Sequence, residues 1–150
     1  MSEQNKAAFR AIPEKLINLG KLDAADQYFA QNYVDHALPP GLPAGVAGFQ
    51  AFFSMLRTAF PDLQYMVEDV VAEGEQVVAR VTAHGTMKGD FQGMKASGKA
   101  ATWTEIHIGR YAAGKVVEHW ATIDQLGMLH QLGLAAIPQQ QAVVTEVIKN

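Results

Sequence analysis

The chain has no cysteine, so disulfides, thiol nucleophiles and thiolate metal sites are excluded. It has no basic cluster. Its 12 Lys and Arg are scattered among 15 Asp and Glu, for a net charge of −3, which leaves no footprint for nucleic acid or an anionic membrane. No apolar run is long enough to span a bilayer, and the opening MSEQNKAAFRAIPEK lacks an apolar signal core; a cytoplasmic protein is the expectation. Gly85, Gly89 and Gly93 fit neither G-x-G-x-x-G nor G-x-x-x-x-G-K-[ST], so no phosphate loop is present. Ser2, Ser54 and Ser97 lie in no G-x-S-x-G elbow. His36, His84, His107, His119 and His130 show no H-x-H or H-x-x-x-H spacing, and a zinc site needs three or four convergent ligands. Neither a metal nor a cofactor is expected, and His119 and His130 read as surface or interface residues.

What is present is a globular composition, 150 residues with 49% hydrophobic and 18% charged. One domain is expected over 1–150, with its core from about 8 to 133 and a tail from 134. Phe9, Ile12, Leu16 and Leu19 recur at helical steps before Gly20. Asp23 can cap a short second helix with Ala24, Ala25, Tyr28 and Phe29 on its apolar stripe. Pro39, Pro40 and Pro43 then forbid helix. A third helix carries Phe49, Phe52, Phe53, Leu56 and Phe60 up to Pro61, with Phe53 expected at a binding pocket.

From Leu63 the period changes to two. Strands are expected over Leu63–Glu73, Gln76–Met87, Thr102–Tyr111 and Lys115–Asp124, with a glycine-rich loop KGDFQGMKASGK between the second and third. A last helix follows from about Asp124 to Leu132. Helices followed by consecutive antiparallel strands give an α+β fold, a strongly curved, mostly antiparallel sheet wrapped by three to four helices into a cone-shaped barrel around a central pocket.

In TWTEIHIGRY, Ile106 and Ile108 share one face, which reads as core packing. Trp103, Glu105, His107 and Tyr111 share the other, an aromatic and ionisable stripe that lines a ligand site or, as the alternative, faces solvent as on a half-exposed sheet, which Trp103 argues against. On the next strand Val116, Glu118, Trp120, Thr122 and Asp124 fall on one face, and Val117, His119, Ala121 and Ile123 on the other. If the first of these is the pocket face, Trp120 and Trp103 wall a cavity with Asp124 at its end. Two roles are open for Asp124: N-cap of the last helix, or a general base pointing into the pocket. Both can hold at once.

The stretches NYVDHALPPGLPAGVAGFQAFFSMLRTAFPDLQYMVEDVVAEGEQVVAR and TWTEIHIGRYAAGKVVEHWATIDQLGMLHQLG resemble the SnoaL-like polyketide cyclases, also called ester cyclases. These have the nuclear-transport-factor-like cone fold shared with ketosteroid isomerase and scytalone dehydratase. The resemblance runs from about Ala8 to Gly133, and Phe-Pro-Asp, Gly-Lys-Val-Val-Glu-His-Trp and Asp-Gln-Leu-Gly are its most specific pieces. It implies an intramolecular aldol ring closure on an apolar carbonyl compound, without metal or cofactor. Asp124 then matches the family's acid/base aspartate, and His107 the histidine that binds the substrate carbonyl. Glu105 stands where the cyclases tend to carry Gln, a departure that matters because a carboxylate repels an enolate unless protonated. A family Asn near the end of the second helix has three candidates here, Asn32, Asp35 and His36. Loops around Leu38–Leu42 and Phe91–Met94 would exclude water.

The alternative is a non-catalytic module of the same fold that binds a small molecule or dimerises, since fold alone does not fix function. Epoxide hydrolysis or dehydration would need an Asp–Arg–Asp or His–Asp set, and Arg110 has the wrong parity to join His107. A homodimer is expected, with a tetramer as the alternative, through Ile106, Ile108, Val117 and Ile123 as an apolar face.

Overall fold

The structure, a computed structural model, describes residues 2–136. Of the expected tail, positions 137–150 lie outside the described residues. Helix α1, Ser2–Ala11, runs straight into a π-helical turn, Ile12–Ile17. Pro13 lies in its first turn, and the wide turn closes with Asn18 N–H on the Pro13 carbonyl at 2.9 Å. Phe9, Ile12, Leu16 and Ile17 are buried, whereas Leu19, expected on the same stripe, is exposed.

The expected second helix is only a 3₁₀ turn, Leu22–Gln27, and Asp23 does not cap it. Phe29, read as the end of that helix, instead opens strand β1, Phe29–Asp35. Helix α2, Val46–Ala59, buries Phe49, Phe53 and Leu56. Gly48 is required there, because a Cβ would run into the Pro43 carbonyl oxygen and lift the proline-rich loop off the helix.

Strands β2 (Gln64–Glu73), β3 (Gln76–Thr86), β4 (Ala100–Ala112) and β5 (Lys115–Ile123) follow, then helix α3, Gln125–Gln131. They form one five-stranded sheet in the order β1-β5-β4-β3-β2. Pairing is antiparallel except at β1, which runs parallel to β5. The fold is thus the expected α+β cone, with a strand at one edge that the period-two pattern did not reveal.

Two irregularities in the register help bend the sheet, one in β2 between Val67 and Asp69 and one in β5 at Val117. The second has a consequence for the site. Tyr111 pairs with Val116, yet Arg110 pairs with Glu118, so Val117 is the extra residue. Val116 and His119 therefore both face inward despite their odd spacing.

The inner face of β4 carries Ala101, Trp103, Glu105 and Tyr111, all buried. Ile106 and Ile108, expected to pack in the core, pair with Thr122 and Trp120 on the outer face. Core and pocket share the inner face. Among the described residues no helix is long and apolar enough to cross a membrane.

Candidate active site

A cavity of about 170 Å³ opens between the inner sheet face, α2 and the π-helical turn. Phe29, Phe49, Phe52, Phe53, Phe91 and Trp103 give it an aromatic wall. Ala37, Leu38 and Pro39 from the proline-rich loop, with Phe91 and Gln92 from the β3–β4 loop, also line it. The two loops expected to exclude water do reach this cavity.

Along one side runs a file of polar groups, each bonded to the next. Asp35 Oδ1 meets His119 Nδ1 at 3.0 Å. His119 Nε2 meets His107 Nδ1 at 2.9 Å, the rings stacked at 15°. His107 Nε2 meets Glu105 Oε1 at 2.9 Å. The ends are anchored as well. Tyr33 O–H donates to Asp35 Oδ2 at 2.5 Å and Ala37 N–H to Oδ1 at 2.8 Å. Trp103 Nε1–H donates to Glu105 Oε2 at 2.9 Å.

The fold explains this order. Asp35 and His119 are direct partners across the parallel β1–β5 pair. Gly109 lies opposite His119 on β4, and His107 opposite Ala121, so the two imidazoles meet diagonally on one face. Glu105 is two residues from His107 and therefore on the same face.

Both carboxylates are nearly fully enclosed, at 3% side-chain exposure, while the histidines keep 16% and 15%. Burial alone would push the Asp35 carboxyl up. The hydrogen bond and charge of His119, with the Tyr33 hydroxyl and Ala37 N–H, outweigh it and hold the group below the usual carboxylate range. Burial, then the charge and hydrogen bond of Asp35, push the Tyr33 phenol up. Burial and then Glu105 do the same to Tyr65.

Of the residues singled out by sequence, His107, Glu105, Trp103 and Phe53 line the cavity. Four others do not. Trp120 lies on the outer face, stacked on His36 at 5.1 Å. His36 belongs to the same outer cluster, 2.7 Å from Glu118, which also takes Arg110 at 3.0 Å. The His36 hydrogen bond first, opposed by slight desolvation and then helped by Arg110, keeps the Glu118 carboxyl below its usual range. Asn32 is exposed on β1.

Asp124, expected to cap α3 and to point its carboxylate into the pocket, does only the first. It is exposed, and its Oδ1 accepts from Gly127 N–H at 3.0 Å. The inner face of β5 carries His119, Ala121 and Ile123 instead, because their partners His107 and Glu105 fix the side. Asp124→Ala is accordingly expected to lower stability by about 1 kcal/mol, the usual worth of a cap, and to leave activity within twofold. Chemical denaturation and a turnover assay on one preparation check both halves.

Asp35, His119, Tyr33 and Tyr65 complete the site. Asp35 was one of three candidates for the Asn position, and His119 read as a surface residue. Proximity to a Trp could not have selected either. The signal lay in the pairing of β1 with β5, which is parallel and separated by more than eighty residues of chain.

A curved α+β sheet closed by helices, with an enclosed aromatic cavity and a buried polar file, defines a small-molecule pocket protein of the cone class. The sequence profile described as SnoaL-like polyketide cyclase matches residues 7–132, and the chain belongs to that family. Aklanonic acid methyl ester cyclase DauD of Streptomyces sp. (strain C5) is 29% identical over 119 residues, 77% of this chain and 74% of that protein. Nogalonic acid methyl ester cyclase of Streptomyces nogalater is 28% identical over 118 residues, 77% and 88% of the two chains. The solved structure of IdmH from Streptomyces antibioticus superposes with a TM-score of 0.76 at 30% identity, covering 87% of this chain and 99% of that one.

Proposed function

We propose that the protein closes a carbocyclic ring by intramolecular aldol cyclisation of a neutral, carbonyl-rich ester, without metal or cofactor. The observation that carries this is the acid/base file set in the wall of an otherwise aromatic cavity. An aldol closure needs a proton taken from carbon and one given to oxygen, and positioned side chains supply both. The folded substrate brings nucleophilic carbon and carbonyl together, and the Phe and Trp103 walls hold a planar skeleton. His107, with 16% of its side chain exposed, is the group that polarises the carbonyl. Its ring nitrogens are both engaged in the free protein, so the substrate oxygen competes with Glu105 for its N–H.

The preference for an ester over a free acid follows from charge. Among the described residues the cavity lining contains Asp35 and Glu105 but no Lys or Arg, so a substrate carboxylate would meet like charge in a desolvated site. The methyl esters named for the relatives above are therefore suitable first substrates.

The test is incubation with aklanonic and nogalonic acid methyl esters, followed by chromatography with mass detection. Ring closure gives a product of unchanged mass and new retention time. Conversion no faster than in buffer for both esters, with folded protein, would sink the proposal. A second reading rests on the His119–Asp35 pair, the His–Asp set that dehydration requires; its sign would be a product lighter by one water.

A homodimer belongs to the same proposal. Met66, Val71 and Ile106 are exposed on the outer face of the sheet, an apolar surface suited to a second copy. Ile123, expected on that surface, lines the cavity instead.

A further inference from the structure

Each of the three contacts in the file needs one hydrogen: 3.0 Å from Asp35 to His119, 2.9 Å from His119 to His107, and 2.9 Å from His107 to Glu105. Two neutral imidazoles bring two hydrogens, and two carboxylates bring none. The file is one proton short unless it holds an extra one.

Asp35 fixes the direction of the first hydrogen in the file. Its oxygens already accept from Ala37 N–H and Tyr33 O–H, so as a carboxylate it takes its third hydrogen from His119 Nδ1. With His119 neutral, its Nε2 is then an acceptor, and His107 turns its Nδ1–H toward it. That leaves His107 Nε2 facing Glu105 Oε1 at 2.9 Å. A bare ring nitrogen and a carboxylate oxygen at that distance, in a buried site, repel each other. A proton between them converts repulsion into a hydrogen bond.

Among the described residues no neighbour supplies that proton in another way. Trp103 Nε1–H is committed to the other Glu105 oxygen. The Tyr65 phenol, pushed well up by burial and by Glu105, keeps its own hydrogen. Tyr33 is bonded to Asp35 at the far end. Among the described residues no Lys or Arg lines the cavity to balance the two carboxylates.

We propose that Glu105 is a further acid/base residue of this site, sharing with His107 Nε2 one mobile proton that passes to and from the substrate. The proposal rests on the ring-closure reading and deepens it. The nucleophilic carbon first gives its C–H proton to the Glu105–His107 pair, leaving an enolate whose electron pair forms the carbon–carbon bond as the carbonyl π pair moves to oxygen. That oxygen takes one proton from the pair, which ends with the single proton it began with. One C–H bond breaks, one C–C and one O–H bond form, and nothing is oxidised or reduced.

An amide at position 105 would store no such proton. Because Trp103 can only donate, a Gln oxygen would face Trp103 and its NH₂ would face His107 Nε2. The ring would then be held neutral with its hydrogen on Nδ1.

The experiment is NMR of the full chain labelled with ¹⁵N-histidine and ¹³C-glutamate at neutral pH, with Glu105→Gln for assignment. The expected wild-type result is a proton at the contact, read as a protonated His107 Nε2, a neutral Glu105 carboxyl, or a fast exchange between them. In Glu105→Gln, His107 Nε2 should read as a bare nitrogen. A bare Nε2 beside a charged Glu105 in the wild type overturns the proposal, and this spectrum suffices even if the variant fails to fold. In the ring-closure assay Glu105→Gln should be slower by about 100-fold or more, with a flattened pH profile. If the wild type converts neither ester, the ring-closure reading fails while the spectra still locate the proton. If the wild type cyclises and Glu105→Gln matches its rate, the role of Glu105 fails alone.

Discussion

Alanine in place of Phe60 is expected to lower the unfolding free energy by about 3–5 kcal/mol. Phe60 is fully buried at the end of α2. Its ring meets Trp103 at a centroid distance of 5.8 Å and Phe91 at 6.4 Å. Its Cβ and ring also fill the space over Gly85, where any added Cβ would come within 3.1 Å. The side chain therefore joins the helix, the β3–β4 loop and the sheet at one point. Its removal leaves a void that three elements must collapse to fill, and a rigid sheet and helix relax little. Urea denaturation should show a lower midpoint at unchanged slope. A loss of less than about 1 kcal/mol would mean that the β3–β4 loop moves in to replace the ring.

His107→Ala is expected to reduce ring closure by about 10²–10⁴-fold, the usual range for a positioned acid/base group. The effect should appear in kcat, because His107 is proposed to act on the reacting carbonyl rather than to hold the skeleton. A KM that rises while kcat stays constant would instead mark His107 as a binding residue. The substitution also strips both neighbours of a partner, since Glu105 and His119 each bond to the ring. Some loss of stability accompanies it, so the assay must be run well below the variant's melting temperature.

The helices and strands were legible to different degrees. Strands β2 to β5 were readable because alternation survives in each, and the inner stripe of β4 was readable residue by residue. The side of β5 was not. Alternation defines two faces without saying which is inside, and the extra residue at Val117 breaks the parity within the strand. Trp120 drew attention as a large aromatic, yet its partner His36 lies outside the cavity. Strand β1 was hidden because Ala24, Ala25, Tyr28 and Phe29 also fit a helical stripe, and because its partner β5 lies far along the chain. With β1 hidden, Asp35 and His119 could not be recognised as a pair. Glu105 was legible as an anomaly, a carboxylate where the resembling cyclases tend to carry an amide, and its place between Trp103 and His107 supplies the physical setting for that exchange.

Among the described residues, strand β1 is also the most loosely tied member of the sheet. It stands at an edge, and its register with β5 is kept at Phe29, Val34 and Asp35 with an interruption between the first two. The carboxylate that takes the His119 Nδ1–H thus sits on the strand with the fewest paired residues among those described. Order at the site is therefore expected to be lost by local fraying of this edge before the whole molecule melts. Heat should then disconnect the imidazole pair from Asp35 while β3 and β4 are still intact, so the temperature at which the protein stops acting and the temperature at which it unfolds are two different properties of the same chain.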